Sequence, residues 1–188
     1  LLGISLGMKY LHSLGIINRN LKPSHILLDQ HHYPHISDFL STSVSDTKLT
    51  QMLLESEIPL YIAPEVFSGH PYTYKSDVYS FSLIAYELVT GKKPYQEFKT
   101  IESWKEAIIK GVRPDLSFVL NGKIRSFLNK CWSENPSERP SFNVIADEIS
   151  KYRYKSIFNA EEDIEKVSEY LKLFTNESTN ENNSKNNS

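Results

Sequence analysis

The fold is decided by residues 17–29, which read Ile-Asn-Arg-Asn-Leu-Lys-Pro-Ser-His-Ile-Leu-Leu-Asp. The stretch begins with polar and charged side chains, contains Pro23, and ends in the apolar run Ile26–Leu28 before Asp29. Proline disfavours the helical conformation for the residue before it, and a short apolar run bounded by a polar residue is typical of a strand. The pattern therefore predicts a polar loop that leads into a short strand.

Elements are predicted on both sides of this loop. Upstream, apolar side chains recur every four residues from Leu2 to Leu14, which indicates an amphipathic helix, and Gly15 suits its C-terminal cap. Downstream of the strand, His31–Pro34 forms a turn and Ile36 belongs to a second short strand. Together the two strands give a small hairpin near residues 26–37.

The rest of the chain is mostly helical in its patterning. The strongest helix pattern spans residues 75–90, with Ser76 as a possible cap and a broad apolar face. Residues 40–58 are rich in Ser and Thr without strong periodicity, so we expect a long loop there. Further helical segments are predicted at residues 63–67, 101–110, 124–132, 141–151 and 160–174. The final residues 175–188 contain six Asn and no apolar side chain, so we expect disorder.

Charge and cysteine content exclude several classes of protein. Lys and Arg number 21 against 23 Asp and Glu, and a chain this close to neutrality does not complement nucleic acid or an anionic membrane. The longest uncharged runs, among them Tyr10–Asn18 and Val78–Tyr86, are too short to span a bilayer. The single cysteine, Cys131, excludes an intramolecular disulfide and a multi-cysteine zinc site. We expect a soluble cytoplasmic protein that binds neither nucleic acid nor membrane.

Five segments in chain order resemble the C-terminal lobe of a eukaryotic protein kinase, from about Leu1 to about Tyr152. They are residues 17–29, 36–40 (Ile-Ser-Asp-Phe-Leu), 59–65 (Pro-Leu-Tyr-Ile-Ala-Pro-Glu), 76–81 (Ser-Asp-Val-Tyr-Ser-Phe) and 131–142, which begins Cys-Trp and ends Arg-Pro-Ser-Phe. Lys22-Pro23 resembles the serine/threonine type of catalytic loop, and the last segment resembles the tyrosine-kinase-like branch.

The resemblance implies a protein kinase-like α+β fold. This chain would be its mainly α C-terminal lobe with a short β-hairpin, over residues 1–152. A helical extension over 153–174 and the disordered tail would follow. The chain begins with Leu1 and contains no G-x-G-x-x-G segment, nor a counterpart of the N-lobe lysine. It is either truncated or comes from a protein without an N-lobe.

The resemblance also implies phosphoryl transfer to a protein hydroxyl, with ATP and Mg²⁺ as cofactors. It places Asn20 at the position of the catalytic base, with Arg19 and Lys22 beside it in the catalytic loop. An amide resembles a carboxylate in shape but does not accept a proton near neutral pH. Base catalysis typically contributes ~100- to 10,000-fold, so the base position is degenerate.

The cofactor positions are altered as well. Asp38 matches the family's metal-binding aspartate and is followed by the expected Phe39. His25 stands where the family has a metal-binding Asn, although Mg²⁺ prefers oxygen ligands. Asn18 replaces the usual His, and Leu40 replaces the Gly after Phe39. We therefore expect nucleotide binding to be impaired.

Three structural residues match the family pattern. Glu65 and Arg139 correspond to a buried ion pair between the activation segment and the late helices, and Asp77 corresponds to the residue that anchors the catalytic loop. Removing one partner from such a pair costs ~3–5 kcal/mol. A retained scaffold with altered chemistry is the pattern of a pseudokinase.

Three function hypotheses remain. The first is a pseudokinase that binds protein partners through residues 95–111 and the groove beside the activation segment. The second is an active serine/threonine kinase that tolerates Asn20 and uses Asp38 as its metal ligand on a protein substrate. The third is a truncated product that cannot fold alone, with Leu1–Tyr10 left exposed.

Two minor signals are given the simpler interpretation. His31, His32 and His35 form a solvated turn rather than a metal site. The Ser and Thr residues of 40–58 form a flexible polar loop, in preference to phosphorylation sites that pair with Arg19.

Overall fold

The computed structural model describes residues 1–38, 45–56 and 59–151, with residues 52–56 described by their backbone alone. Its helices are α1 (Leu2–Ser13), α2 (Asp46–Ser56), α3 (Pro64–Phe67), α4 (Tyr74–Thr90), α5 (Ile101–Ile109), α6 (Gly122–Cys131) and α7 (Phe142–Lys151). The strands are β1 (Ile26–Leu28) and β2 (Pro34–Ile36), and 3₁₀ turns span Pro23–His25 and Pro136–Glu138. Residues 1–147 form one compact unit, and the last described residues, 148–151, fall outside it.

Several predictions fall on residues that the structure does not describe. Outside the described residues lie Phe39, Leu40, the helical extension at 153–174 and the tail at 175–188.

Within the described residues, no helix is long and apolar enough to cross a membrane.

The predicted hairpin is confirmed, and α1 packs against it. Strands β1 and β2 are antiparallel, with Ile26 opposite Ile36. A Cβ atom on Gly7 of α1 would lie 2.9 Å from Cδ1 of Ile36, closer than carbon atoms approach without displacement. The absence of a side chain at Gly7 therefore permits the close contact between α1 and β2.

The expectation that Leu1–Tyr10 would be exposed in this chain is wrong for most of α1. Leu2, Ile4 and Met8 are buried, and only Tyr10 is largely exposed. Because α1 lies against β2, its apolar side chains are covered by described residues of the same chain. No separate lobe is required to bury them.

Helix α4 runs through the interior, where every residue from Ser76 to Tyr86 is buried. Its N-cap is Thr73, whose Oγ1 accepts a hydrogen bond from the backbone N–H of Lys75 at 3.1 Å. The prediction of Ser76 as the cap is wrong, since Ser76 lies inside the first turn and its Oγ accepts from the Thr73 N–H at 2.9 Å. This reciprocal pair of hydrogen bonds is a capping box, and it starts the helix at residues that precede the apolar pattern of α4 in the sequence.

The remaining helices complete a core around α4. Helix α6 packs against α4, and α5 packs against α3. The buried cluster contains large side chains from several of these elements, among them Tyr79, Leu83, Trp104, Ile108, Leu128 and Trp132. The predicted helices at 101–110, 124–132 and 141–151 are confirmed to within two residues at each end.

The prediction of a loop over all of residues 40–58 is wrong, because α2 occupies Asp46–Ser56. This helix is held by tertiary contacts. Leu49 is buried in the core cluster, and Oδ2 of Asp46 accepts a hydrogen bond from the backbone N–H of Tyr72 at 3.1 Å. Packing of this kind overrides a weak local pattern.

Candidate functional site

The loop that contains Asn20 is anchored from below by Asp77 of α4. The Asp77 carboxylate accepts hydrogen bonds from the backbone N–H of Asn18 at 2.8 Å and of Arg19 at 2.9 Å. Its Oδ2 also lies 2.8 Å from Nε2 of His12, in the last turn of α1. Asp77 is only 1% exposed, so these three bonds compensate the burial of its charge.

His12 was not among the predicted site residues. The available signal was a single basic side chain in the last turn of an apolar helix, shortly before the loop. A histidine at that position does not by itself indicate a contact with the loop, because its partner Asp77 lies on α4, far away in the sequence. The contact between residues 12 and 77 is a tertiary one.

Two residues of the site have left-handed backbone conformations. Arg19 has φ of 65° and Asp38 has φ of 51°. For residues with a side chain such conformations store about 1–3 kcal/mol of strain and cluster at functional sites. The backbone N–H groups of Asn18 and Arg19 donate to Asp77 and hold Arg19 in this conformation, so α4 beneath the loop maintains its shape.

Asn18 is fully buried and supports Asn20 directly. Its Oδ1 accepts a hydrogen bond from the Asn20 backbone N–H at 3.1 Å. Its Nδ2 is buried without a hydrogen-bond partner. Asn18 therefore fixes the backbone of Asn20, while its own Nδ2 remains an unsatisfied donor.

His25 and Asp38 are brought together by the hairpin. Nδ1 of His25 lies 3.0 Å from the backbone oxygen of Asn20, and Nε2 lies 3.7 Å from Oδ2 of Asp38. A carbonyl oxygen only accepts hydrogen bonds, so Nδ1 carries the proton. The other ring nitrogen, Nε2, faces the Asp38 carboxylate.

This pair does not fit the Mg²⁺ that the resemblance implies. Mg²⁺ requires near-octahedral oxygen coordination and keeps several waters, and imidazole nitrogen is a ligand for softer ions. His25 is held with its ring nitrogen toward Asp38, where an amide oxygen would be needed. Among the described residues, no group of three or more His, Cys, Asp or Glu side chains is arranged to hold a metal ion.

A groove of about 250 Å³ lies beside Asn20. Its lining includes Lys22 from the loop, Tyr61, and the oppositely charged Glu87 and Lys93. The hydroxyl of Tyr61 donates a hydrogen bond to Glu87. The volume is below the ~300–1,000 Å³ of small-molecule pockets, and a groove with both charges is suited to side chains of a peptide.

Arg19 also contacts α2. Its Nη1 lies 3.3 Å from Oδ1 of Asp46, the first residue of that helix. The sequence left open a phosphorylated loop that would pair with Arg19, whereas the structure places a carboxylate of the chain itself there. The position is therefore filled by a fixed negative charge.

Glu65 and Arg139 form a bidentate ion pair. Nη1 of Arg139 lies 2.6 Å from Oε1 of Glu65, and Nη2 lies 2.9 Å from Oε2. Arg139 also donates from Nε to the backbone oxygen of Ser133 and from Nη1 to that of Lys75. The pair joins α3 to the segment before α7 and to α4.

Comparison with known proteins agrees with this arrangement. Residues 1–149 match the family model described as protein tyrosine and serine/threonine kinase. The chain belongs to the protein kinase family. Its described part is a kinase C-terminal lobe, mostly helical with one two-stranded sheet.

Curated relatives of this kinase domain are named as serine/threonine kinases. It is 37% identical over 159 residues to the RGS domain-containing serine/threonine-protein kinase A of Dictyostelium discoideum. This alignment covers 85% of the present chain and 14% of the relative. It is 36% identical over 151 residues to serine/threonine/tyrosine-protein kinase HT1 of Arabidopsis thaliana, covering 80% and 38% respectively. It is 33% identical over 150 residues to the Arabidopsis thaliana serine/threonine-protein kinase STY17, covering 80% and 26%. The chain thus spans less than two fifths of the length of these relatives.

Proposed function

We propose that this kinase domain is a pseudokinase, catalytically impaired, that acts as a protein-binding and regulatory module in signalling. The observation that carries the proposal is Asn20. It occupies the base position of a loop whose backbone is held by Asp77 and Asn18. The scaffold of a kinase is kept, while the side chain that would accept the proton is an amide.

A second departure affects the cofactor. The family uses ATP and Mg²⁺ for phosphoryl transfer. Here His25 replaces an oxygen ligand, and its ring is fixed by the bond to the Asn20 backbone oxygen. Loss of both the base and one metal ligand impairs two separate contributions to catalysis, proton transfer and charge neutralisation.

The partners in this proposal are proteins. The groove beside Asn20 has Lys22, Lys93 and Glu87 on its walls, which suits an extended peptide with charges of both signs. Helix α5 has an exposed side with Glu102, Glu106 and Ile109. These are the two surfaces at which we expect partner binding.

An active serine/threonine kinase is the second candidate. The intact backbone of the catalytic loop favours it, together with Arg19, Lys22 and Asp38 in their family positions. In that case Lys22 and the loop geometry would stabilise the transferring phosphoryl group, and only the base contribution would be lost.

The deciding experiment measures phosphate transfer from radiolabelled ATP to a generic protein acceptor. It uses the longest form of the protein that the gene encodes. We expect no transfer above background for the unaltered protein and the largest gain for the double variant Asn20→Asp/His25→Asn, which restores both the base and the oxygen ligand, with Asn20→Asp alone in between. Asn143→Asp is the matched control, because Asn143 is an exposed amide on α7. Transfer by the unaltered protein at the level of Asn20→Asp would overturn the pseudokinase proposal.

A further inference from the structure

A second groove, of about 500 Å³, runs along the polar face of α6. Besides Gly122, its lining consists of Arg125, Ser126, Asn129, Lys130, Ser133 and Glu138. We propose that this groove binds an acidic, extended segment of a partner protein. The inference does not depend on whether the chain transfers phosphate, and the groove shares no lining residue with the one beside Asn20.

The first argument is the unused guanidinium group of Arg125. The guanidinium groups of Arg19, Arg113 and Arg139 each contact a carboxylate or backbone oxygen of the chain. Within the described residues Arg125 has no such partner, and its Nη2 lies 4.0 Å from the position that a Cβ on Gly122 would occupy. A guanidinium group binds a carboxylate through two parallel hydrogen bonds, so Arg125 is suited to receive an acidic side chain in the groove.

The second argument is the orientation of the Asn129 amide. Nε1 of Trp132 donates a hydrogen bond to Oδ1 of Asn129 at 3.1 Å. Because an indole N–H only donates, this bond fixes which end of the amide is the oxygen. The acceptor of Asn129 is therefore used within the chain, and its Nδ2 remains as a donor for a ligand. Lys130 is exposed next to Asn129 and adds an ammonium group.

The third argument is the balance of charge in the groove. Arg125 and Lys130 are opposed by one lining carboxylate, that of Glu138, whose Oε2 accepts a hydrogen bond from Oγ of Ser133 at 2.7 Å. The N-terminus of α6 does not contribute, because Oδ1 of Asn121 already accepts from the first free backbone N–H groups of this helix. The groove thus presents mainly donors and positive charge, which complement carboxylates.

The choice of a protein segment over a free anion depends on the residues just before the groove. Leu120 is 91% exposed and Phe118 is 62% exposed, and Leu120 lies two positions before Gly122. An extended peptide with acidic side chains and an apolar residue would contact both Leu120 and the cations of α6. A free anion would use the cations alone.

The test is fluorescence anisotropy of a short fluorescein-labelled peptide that alternates Glu and Ser around a central Leu, titrated with the purified 188-residue chain. We expect binding that weakens as salt is added, and no binding of the same peptide with Gln in place of every Glu. Arg125→Gln should weaken binding by about three- to tenfold, as expected for a partly exposed bidentate pair. Asn129→Asp keeps the oxygen that accepts from Trp132 but replaces the donor with a negative charge, so it should weaken binding at least as much.

Lys110→Gln is the matched control, because it changes the net charge as Arg125→Gln does and Lys110 lies on the exposed surface beside Glu106. The proposal is overturned if the unaltered chain does not bind the Glu peptide, or if Lys110→Gln weakens binding as much as Arg125→Gln. Loss of binding only in Lys93→Gln would also overturn it, because the peptide would then lie in the groove beside Asn20.

Inorganic phosphate is the further probe. If phosphate displaces the peptide with an affinity comparable to that of the peptide itself, the groove takes free anions and the proposal is overturned. Thermal melting shows whether each variant is folded. If Asn129→Asp is not, Arg125→Gln and Lys130→Gln decide the question, since both side chains are exposed.

Discussion

Arg139 carries a full positive charge into the interior, where it is almost completely buried. Its guanidinium group is satisfied on all sides, by Glu65 and by the backbone oxygens of Ser133 and Lys75. A buried ion pair contributes little net stability when both partners are present, but loss of one leaves an uncompensated charge. Glu65 and Arg139 therefore hold α3, the start of α4 and residues 133–139 in one arrangement.

The substitution Glu65→Gln tests the contribution of the Glu65–Arg139 ion pair to stability. The substitution preserves shape but removes the charge opposite Arg139, so we expect the free energy of unfolding to fall by about 3–5 kcal/mol. Urea denaturation followed by circular dichroism measures it. Glu106→Gln is the control, because Glu106 pairs with Lys110 at 3.5 Å on the exposed surface. That pair should contribute less than about 1 kcal/mol, and equal losses in the two variants would contradict the prediction.

Asp46, the first residue of α2, links this helix to the loop that contains Arg19. Asp46 lies 3.3 Å from Nη1 of Arg19 and accepts a hydrogen bond from the Tyr72 backbone. It also lies in the first turn of α2, where a negative charge is favourable to the helix dipole. The helix is thus stabilised by a carboxylate that is always present, without any modification of the chain.

Asp46→Asn is expected to loosen α2 without unfolding the domain. A partly exposed ion pair contributes about 0.2–1 kcal/mol, which corresponds to amide exchange up to about fivefold faster in the helix. Hydrogen–deuterium exchange of the amides of residues 49–51 measures this change. Lys48→Gln alters an exposed charge on the same helix and serves as the control. Unchanged exchange in Asp46→Asn, or equal acceleration in both variants, would show that the Arg19 contact does not hold α2.

The interior of the whole molecule includes a buried tyrosine pair. The hydroxyl oxygens of Tyr79 and Tyr95 are 2.8 Å apart, and both side chains are almost completely buried. Burial disfavours the ionised phenolate, so it raises the pKa of Tyr79 and the pKa of Tyr95. Both hydroxyls therefore remain protonated in the folded chain at pH values at which exposed tyrosines ionise.

The raised pKa values predict the response of the fold to alkali. Above pH 10, the unfolded chain loses the protons of these tyrosines while the folded chain keeps them, so stability falls as pH rises. Urea denaturation at several values between about pH 8 and 11 measures the slope. The double variant Tyr79→Phe/Tyr95→Phe should show a shallower slope, since it removes both hydroxyls and leaves neither unpaired. Tyr10→Phe alters an exposed tyrosine and should leave the slope unchanged; a slope that is the same in all three proteins would contradict the assignment.

Local pattern was sufficient for much of the molecule. The four-residue apolar repeat from Leu2 to Leu14 predicted α1. The apolar residues on the two sides of the turn at His31–Pro34 predicted the hairpin, and the apolar pattern of residues 75–90 predicted α4. A helix or a tight hairpin buries one face, and the apolar residues of that face recur at a fixed spacing along the sequence. Such elements can therefore be predicted without knowledge of the fold. The ordered segments around Asn20, Asp38, Glu65 and Asp77 likewise indicated the kinase family, which the family match shows.

Tertiary structure decided the features that join distant residues. Helix α2 lay in a stretch without periodicity and is stabilised by contacts with Arg19 and Tyr72, which no local pattern contains. The cap at Thr73 and the contact between His12 and Asp77 likewise needed the fold. The sequence by itself determined that an amide, Asn20, and an imidazole, His25, stand where the kinase resemblance predicts the catalytic base and a metal ligand. Only the tertiary structure decided that the imidazole faces Asp38 across 3.7 Å, because that distance depends on the hairpin and on the Asn20 carbonyl that orients the ring.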